Sequence, residues 1–155
     1  IIIKNLSTLQ DIVNLQIHQF IMPTSKIIYK GELRTEAVHL FSNNKIITDA
    51  PLDNQGKAEA FSPTDLVATA LVSCMFTIIG IKARDSDFSI ENASATATKI
   101  MTDKPRKIKE IIIEFDFANH NYSEKEKKLI ENSAKTCPVA LSLAKDIKQT
   151  LVFNF

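Results

Sequence analysis

The chain has 155 residues, of which 45% are hydrophobic and 24% charged, and its formal net charge is +1. That length can bury a hydrophobic core in one domain, and the composition is ordinary for a soluble globular protein. The near-neutral charge provides no field that would attract nucleic acid or an anionic membrane, so we expect neither as a partner. The pattern of apolar residues predicts no membrane span and no signal peptide.

The N-terminal segment differs from the remainder. Met22, followed by Pro23, resembles the native first residue of a protein. We therefore interpret residues 1–21 as an N-terminal extension and residues 22–155 as the folded domain. Apolar residues within the extension fit either an amphipathic helix or a strand, and both alternatives stay open.

The first folded segment has β character. Residues 27–41 mix apolar and polar side chains with a break at Gly31, and residues 45–48 resume the pattern after an Asn-Asn turn. This predicts two or three strands in a meander. Residues 49–61, which contain proline, glycine, aspartate and asparagine, are predicted to form a loop.

A strong helix start follows the loop. Ser62 suits the N-cap, Pro63 the first helical position, and Asp65 the acidic position of a capping box. Residues 66–83 are apolar on nearly every face, which predicts a helix buried all round with Cys74 near its middle.

The second half of the chain predicts two strands, two helices and a closing strand, in that order, at residues 88–101, 107–117, 123–134, 139–145 and 149–155. Pro138 separates the two helices, because proline cannot continue a helix interior. The order βββ, α, ββ, αα, β does not alternate single helices with parallel strands. The predicted class is therefore α+β, with antiparallel sheets around a buried central helix.

The cysteines and histidines suggest thiol chemistry without a metal. Cys74 and Cys137 are far apart in the sequence and form no CxxC, and His18, His39 and His120 stand singly, so no metal site and no cofactor is expected. Two separate thiols in a chain of this size fit an intracellular protein, which we place in the cytoplasm.

The two thiols are expected in different environments. Cys137 precedes Pro138 and therefore belongs at a helix N-cap, where free N–H groups and the helix dipole favour a thiolate. Burial in the middle of a helix would leave Cys74 inert unless a cation lies nearby. The alternative is that both are buried structural cysteines. Arg34, on the first strands, is either a solvated charge or directed at a buried site, and a capping box accounts for Asp65.

Three stretches together resemble the OsmC/Ohr family. Residues 60–74, AFSPTDLVATALVSC, resemble its Pro-acid-Leu, small-residue and Cys helix. Thr136-Cys137-Pro138-Val139 resembles its second cysteine motif, and Tyr29-Lys30-Gly31-Glu32-Leu33-Arg34 resembles its N-terminal strand. The resemblance covers about residues 25–155.

The resemblance implies an intertwined α+β homodimer with active sites at the subunit interface. It implies that Cys74 is the peroxidatic cysteine and Cys137 the resolving one. In the peroxidase branches an Arg and a Glu hold the reactive thiolate, and Arg34 is the match for the Arg.

The match to the family is incomplete at the acid. The family Glu directly follows the Pro, and this chain has Thr64 there. Whether Asp65, Glu59 or no acid replaces it is left open at the level of the sequence.

We therefore expect a thiol-dependent peroxidase that reduces organic hydroperoxides or hydrogen peroxide, with Cys74, Cys137, Arg34 and Asp65 as site residues. Its partners would be a second copy of the chain, the peroxide and an external dithiol. The alternative, motivated by Thr64, is a stress-response binding module with a ligand pocket around Cys74 and little turnover. A third is a family member that keeps both cysteines for packing.

Overall fold

A computed structural model of the protein describes residues 23–117 and 121–155. The described residues divide into two compact units, one ending at residue 60 and the other beginning at residue 61. The predicted boundary after residue 21, together with His18 and His120, lies outside the described residues.

The first unit contains a three-stranded antiparallel sheet in the order β1-β2-β3. Its strands are β1 (Ser25–Gly31), β2 (Arg34–His39) and β3 (Lys45–Asp49). The predicted meander is confirmed, and β3 runs one residue further than the sequence pattern indicates. That extra residue, Asp49, pairs directly opposite Arg34.

A tight turn joins β1 to β2. Gly31, Glu32 and Leu33 have φ values of 86°, 51° and 60°, so two side-chain-bearing residues adopt the left-handed region that favours glycine. The Leu33 backbone is held from both sides: its N–H donates to the Tyr29 hydroxyl at 3.2 Å and its carbonyl accepts from Ala50 N–H at 3.2 Å. The turn therefore places the next residue of the chain, the first of β2, in a defined position.

The second unit begins with helix α1 (Pro63–Arg84), whose start is that of the predicted capping box. The Ser62 hydroxyl accepts from Asp65 N–H at 3.2 Å, and Ser62 N–H donates to Asp65 Oδ2 at 2.8 Å. The two bonds satisfy backbone groups that have no partner inside the helix.

Helix α1 buries one stripe of its surface. The buried residues are spaced three or four apart, as one helical face requires, and are Ala68, Leu71, Met75, Ile79 and Ala83. The predicted buried central helix is confirmed along this stripe, whereas the other faces of α1 are half-buried or exposed within the described chain. By length and composition alone α1 could cross a membrane, a test that the core helix of a soluble protein also passes.

The second sheet is mixed. Its strands are β4 (Ser94–Asp103), β5 (Arg106–Asp116) and β6 (Lys148–Asn154), in the order β4-β5-β6. Strand β5 pairs antiparallel with β4 and parallel with β6, so the α+β class is confirmed with one parallel pair added to the antiparallel sheets. The strand predicted from residue 88 begins only at residue 94, after an irregular segment in which Asn92 has a φ of 66°.

The core of the second unit lies between α1, the second sheet and the helices α2 (Glu124–Ala134) and α3 (Pro138–Ser142). The predicted alternation along β5 is confirmed, with buried side chains at Ile111, Ile113 and Phe115. Rings from β6 stack on this face, Phe153 on Phe115 with centroids 5.0 Å apart. Helix α3 is shorter than predicted, because Leu143 turns to an extended conformation with ψ 150°.

The two serine caps provide a test of the fold. Ser62 is buried and also accepts a hydrogen bond from Lys99 Nζ at 2.9 Å, whereas Ser123 caps α2 with the same box at the surface. Replacing Ser123 by alanine is expected to lower the free energy of unfolding by about 1 kcal/mol. Replacing Ser62 by alanine is expected to lower the free energy of unfolding by about 2 kcal/mol, because the half-buried Lys99 ammonium also loses an acceptor. Urea denaturation measures both, and a larger loss at Ser123 would contradict this assignment.

Candidate functional site

Cys137 is the N-cap of α3, as its position before Pro138 predicts. Its backbone is extended, with φ −68° and ψ 138°, and its Sγ accepts a hydrogen bond from Ala140 N–H at 3.2 Å. The side chain is fully buried in the core of the second unit. The buried sulfur therefore lies in the core beside the N–H groups that begin α3.

Cys74 lies on α1 and is the more accessible of the two thiols. It is half-buried and packs against the same core, and α1 packs against α3. Cys74 packs against the core cluster that contains Cys137, near enough for its thiol to influence the pKa of Cys137, and both thiols are free. Helix packing thus brings together two thiols that are far apart in the sequence.

The electrostatics of Cys137 differ from the expectation that a helix start favours its thiolate. Burial raises the pKa of the Cys137 thiol, the Ala140 N–H partly opposes this, and the nearby Cys74 thiol raises the pKa further. The expectation is wrong because desolvation in the core exceeds what one short helix start contributes. Cys137 is a protonated thiol at neutral pH.

Arg34 belongs to the first unit, where two acids hold it. Its Nε and Nη2 donate to Asp49 Oδ1 and Oδ2, each at 2.7 Å, in a bidentate pair. Its Nη2 also donates to Glu59 Oε2 at 2.5 Å. The Glu59 backbone N–H in turn donates to Asp49 Oδ2 at 3.1 Å, so the three residues form one cluster, called here the Arg34 cluster.

The Arg34 cluster contains a residue that sequence analysis missed. The sequence pattern places Asp49 in a loop, yet this residue ends β3 opposite Arg34 and its side chain is only 3% exposed. The hydrogen bonds from Arg34 hold the pKa of Asp49 below its usual range despite burial, and Asp49 and Glu59 raise the pKa of the Arg34 guanidinium. Only the register between β2 and β3, which the sequence leaves open, identifies Asp49 as the partner.

Asp65 has a different set of partners. Lys99 Nζ, on β4, lies 2.6 Å from Asp65 Oδ1 and donates to Ser62 Oγ at 2.9 Å and to Thr64 Oγ1 at 2.7 Å. Burial raises the pKa of Asp65, but the hydrogen bonds from Lys99 and Ser62 outweigh it and leave the pKa below its usual range. Both carboxylate oxygens of Asp65 are therefore engaged in holding the start of α1, and Lys99 is a second residue that sequence analysis missed.

No group of three or more His, Cys, Asp and Glu side chains in residues 23–117 and 121–155 could hold a metal ion. What the second unit offers chemically is a pair of neighbouring free thiols, one half-exposed and one buried. Such a pair can pass between a dithiol and a disulfide.

The fold and the cysteine pair define an α+β protein with neighbouring thiols on two packed helices. The family model described as OsmC-like protein matches residues 56–152, and the chain belongs to that family. A solved structure from Psychrobacter arcticus 273-4, named for osmotic stress induction and detoxification response, is 55% identical. It covers 86% of this chain and 96% of its own, with a TM-score of 0.83.

More distant solved structures share the fold. An organic hydroperoxide resistance protein OsmC from Legionella pneumophila has a TM-score of 0.69 at 16% identity, covering 86% of this chain and 98% of its own. An organic hydroperoxide resistance protein from Vibrio cholerae, with captopril bound in one of its active sites, has a TM-score of 0.66 at 17% identity. It covers 97% of this chain and 96% of its own. No curated protein matches the chain. OsmC-like proteins are soluble, which agrees with α1 as a core helix.

The burial of the two thiols leads to a labelling experiment. In the native protein iodoacetamide is expected to alkylate Cys74 well before Cys137, because alkylation needs an accessible thiolate. Since the pKa of Cys137 is raised, its alkylation rate should keep increasing with pH after an ordinary thiol has levelled off. Peptide mass spectrometry over a pH series measures both rates, with denatured protein as the control in which both react. Equal rates in the native protein would contradict this picture.

Proposed function

We propose that the protein is a thiol-dependent peroxidase that reduces organic hydroperoxides or hydrogen peroxide. The observation that carries this proposal is the packing of a half-buried Cys74 against the core cluster that contains the buried Cys137, with both thiols free. Membership of the OsmC-like family supports it, as do the names of neighbours called organic hydroperoxide resistance proteins.

In the first step the Cys74 thiolate attacks the terminal oxygen of the peroxide. The S–O bond forms as the O–O bond breaks, and the departing alkoxide or hydroxide takes up a proton. The sulfur is oxidised to sulfenic acid while the peroxide is reduced to an alcohol or water. The greater exposure of Cys74 is the reason for assigning it this role.

In the second step the Cys137 sulfur attacks the sulfenic sulfur of Cys74. The S–S bond forms, the S–O bond breaks, and water leaves with the proton that Cys137 gives up. An external dithiol then reduces the disulfide by thiol exchange, and this cycle uses thiols alone. Burial protects the Cys137 thiol from the peroxide, so this thiol reacts chiefly with the oxidised sulfur of Cys74.

We further propose that Arg34 of the other chain in a homodimer is the cation that Cys74 requires. Arg34 keeps a fixed guanidinium through Asp49 and Glu59, which suits it to act on a thiolate. Of the acids considered as replacements for the Glu absent at Thr64, Glu59 is the one bonded to Arg34. Asp65 is assigned to supporting the helix that carries Cys74.

A second candidate, a binding module with little turnover, is favoured by one observation. The position at which the resemblance requires a Glu is Thr64, and its hydroxyl is bound by the Lys99 ammonium. A site without that acid is compatible with holding a small ligand beside Cys74. In either case we place the protein in the cytoplasm, where free thiols stay reduced.

Peroxide turnover tests the proposal. With a dithiol reductant, wild-type protein is expected to consume an organic hydroperoxide steadily, and Cys74→Ser to lose this activity. Cys137→Ser is expected to react once and then stop, because its sulfenic acid has no resolving thiol. Mass spectrometry after mild peroxide should show a loss of two hydrogens and a Cys74–Cys137 bridge. Equal consumption by wild type and Cys74→Ser rules out the peroxidase, and unchanged thiols with a retained ligand favour the binding module.

The surface of the described chain supports a homodimer. In the described part of the first unit, eight large apolar residues are at least two-fifths exposed, namely Ile27, Ile28, Tyr29, Leu33, Phe41, Ile46, Ile47 and Leu52. A three-stranded sheet with so much exposed apolar surface is marginal by itself. A second copy of the chain would cover it by two-fold symmetry, the commonest arrangement of soluble oligomers.

Light scattering at micromolar concentration is expected to report twice the chain mass of 17.3 kDa. Ile46→Lys, at a position 51% exposed on the first sheet, should shift the protein toward monomer, because it places a charge in the covered surface. Lys26→Glu on β1 is a matched control with a changed charge at a polar position. A folded wild-type monomer under these conditions would exclude the obligate homodimer.

A further inference from the structure

Gln149 is a polar residue at a position of β6 that faces the core. Side chains alternate between the two faces of a strand, and the residues that follow on the face of Gln149 pack against the core, namely Leu151 and Phe153. Gln149 also pairs with Ile111 of β5, whose side chain is fully buried. A glutamine at such a position needs a hydrogen-bond partner, because a polar group shielded from water without one is unfavourable.

The partner of the Gln149 side chain is a carbonyl of α3. Gln149 Nε2 donates to the Ala140 carbonyl oxygen at 3.0 Å. Helix α3 has only five residues, and Leu143 after it is extended, so Ala140 is one of the last four residues, whose carbonyls have no partner inside the helix. The glutamine therefore supplies, from a strand of the sheet, a hydrogen bond that the short helix cannot form by itself.

The same residue of α3 also binds the buried thiol. Ala140 N–H donates to Cys137 Sγ at 3.2 Å, and the next residue, Leu141, donates its N–H to the Cys137 carbonyl at 3.1 Å. Ala140 is thus bonded to Gln149 through its carbonyl and to the Cys137 sulfur through its N–H. A displacement of this turn of helix would break both contacts.

The strand that carries Gln149 is fixed on either side of this residue. Lys148 Nζ lies 2.8 Å from Glu110 Oε1 on β5, and Thr150 Oγ1 donates to the same oxygen at 2.6 Å. By the alternation of a strand, these two side chains lie on the face opposite to that of Gln149. Gln149 therefore holds α3 from a backbone that is itself anchored to the neighbouring strand.

We infer that Gln149 is a positioning residue for Cys137. A single turn of helix is not stable by itself, so the contact with β6 keeps α3 formed and its N-cap thiol in place. Held in this way, the Cys137 thiol is kept from reagents in solution and directed toward Cys74, which packs against the same core cluster. The inference rests on the redox pair of the proposed function and extends it to the residue that orients the resolving thiol.

An aromatic disulfide tests this without any peroxide. Dithiobis(nitrobenzoate) reacts first with the more accessible Cys74 thiolate, which forms a mixed disulfide and releases one nitrothiobenzoate. Cys137 then loses its proton to solvent and attacks the Cys74 sulfur, so that the Cys74–Cys137 bond forms and a second nitrothiobenzoate leaves. Absorbance follows both releases, and the rate of the second measures how well Cys137 is positioned.

Gln149→Met in the full chain keeps the length of the side chain and removes its N–H donor. We expect the second release to slow about fivefold, because one hydrogen bond no longer holds the thiol in its reactive position. Alkylation of Cys137 by iodoacetamide should become about fivefold faster in the same variant, because α3 opens more often. The first release should not change, whereas a general loosening of the fold would also expose Cys74 and speed it.

Thr150→Val is the matched control. It removes one side-chain hydrogen bond at the next position of β6, on the other face, and should leave both reactions of Cys137 unchanged. An unchanged second release in Gln149→Met, or an equal change in Thr150→Val, would overturn the inference. If circular dichroism shows that Gln149→Met is unfolded, Gln149→Leu replaces it, with the same changes expected, because leucine suits the apolar face of the strand.

The proposed function and this inference fail separately. If the wild-type protein gives the second release but consumes no peroxide, the peroxidase is excluded, and the variants still decide the role of Gln149 in forming the disulfide. If the wild-type protein gives no second release, Cys137 is not directed toward Cys74, and the inference is overturned whatever the peroxide turnover.

Discussion

The packing of a single stripe of α1 against the second sheet determines where both cysteines lie. Leu71, Met75 and Ile79 are fully buried, and Cys74 stands one position before Met75, at the margin of that stripe. A rotation of α1 by one residue, about 100°, would carry Cys74 into the core or into solvent. The capping box and the Lys99 contacts hold the helix start against such a rotation.

The two thiols are consequently unequal in a way that suits sequential chemistry. Cys137 is buried with a raised pKa and is protected from bulk oxidants, whereas Cys74 is partly accessible. A symmetric pair would offer either sulfur to the oxidant and would risk oxidising both separately. The charged groups are also paired within each unit. In the second unit Lys99 forms an ion pair with Asp65 at the helix start, and in the first unit Arg34 forms ion pairs with Asp49 and Glu59.

Patterns confined to neighbouring residues were predicted well from the sequence. The capping boxes at Ser62 and Ser123, the N-cap position of Cys137 and the alternation along β5 are all present, because each depends on a few residues in one element. What depended on contacts between elements was not predictable. The Asp49 partner of Arg34 follows from strand register, and Lys99 reaches α1 from another strand.

The difference between patterns within one element and contacts between elements also explains where the structure departs from the sequence predictions. An apolar run predicts that α1 is buried, but not how much of its surface one chain covers, since this depends on what packs around it. A helix start predicts a stabilised thiolate at Cys137, but the desolvation that reverses this arises from core residues distant in the sequence. Both outcomes depend on the surroundings of a side chain rather than on its own element.

The parallel pairing of β6 with β5 has a consequence for biosynthesis. The three strands of the first sheet pair with their neighbours in the sequence, as do β4 and β5. By contrast, β6 pairs with β5 only after α2 and α3 have been synthesised. Gln149, on β6, donates to the Ala140 carbonyl of α3 at 3.0 Å, so the arrival of β6 also seats the helix that Cys137 caps. Long-range pairings are slow to form. A newly synthesised chain therefore passes through a period in which the Cys137 thiol is not yet shielded from oxidants.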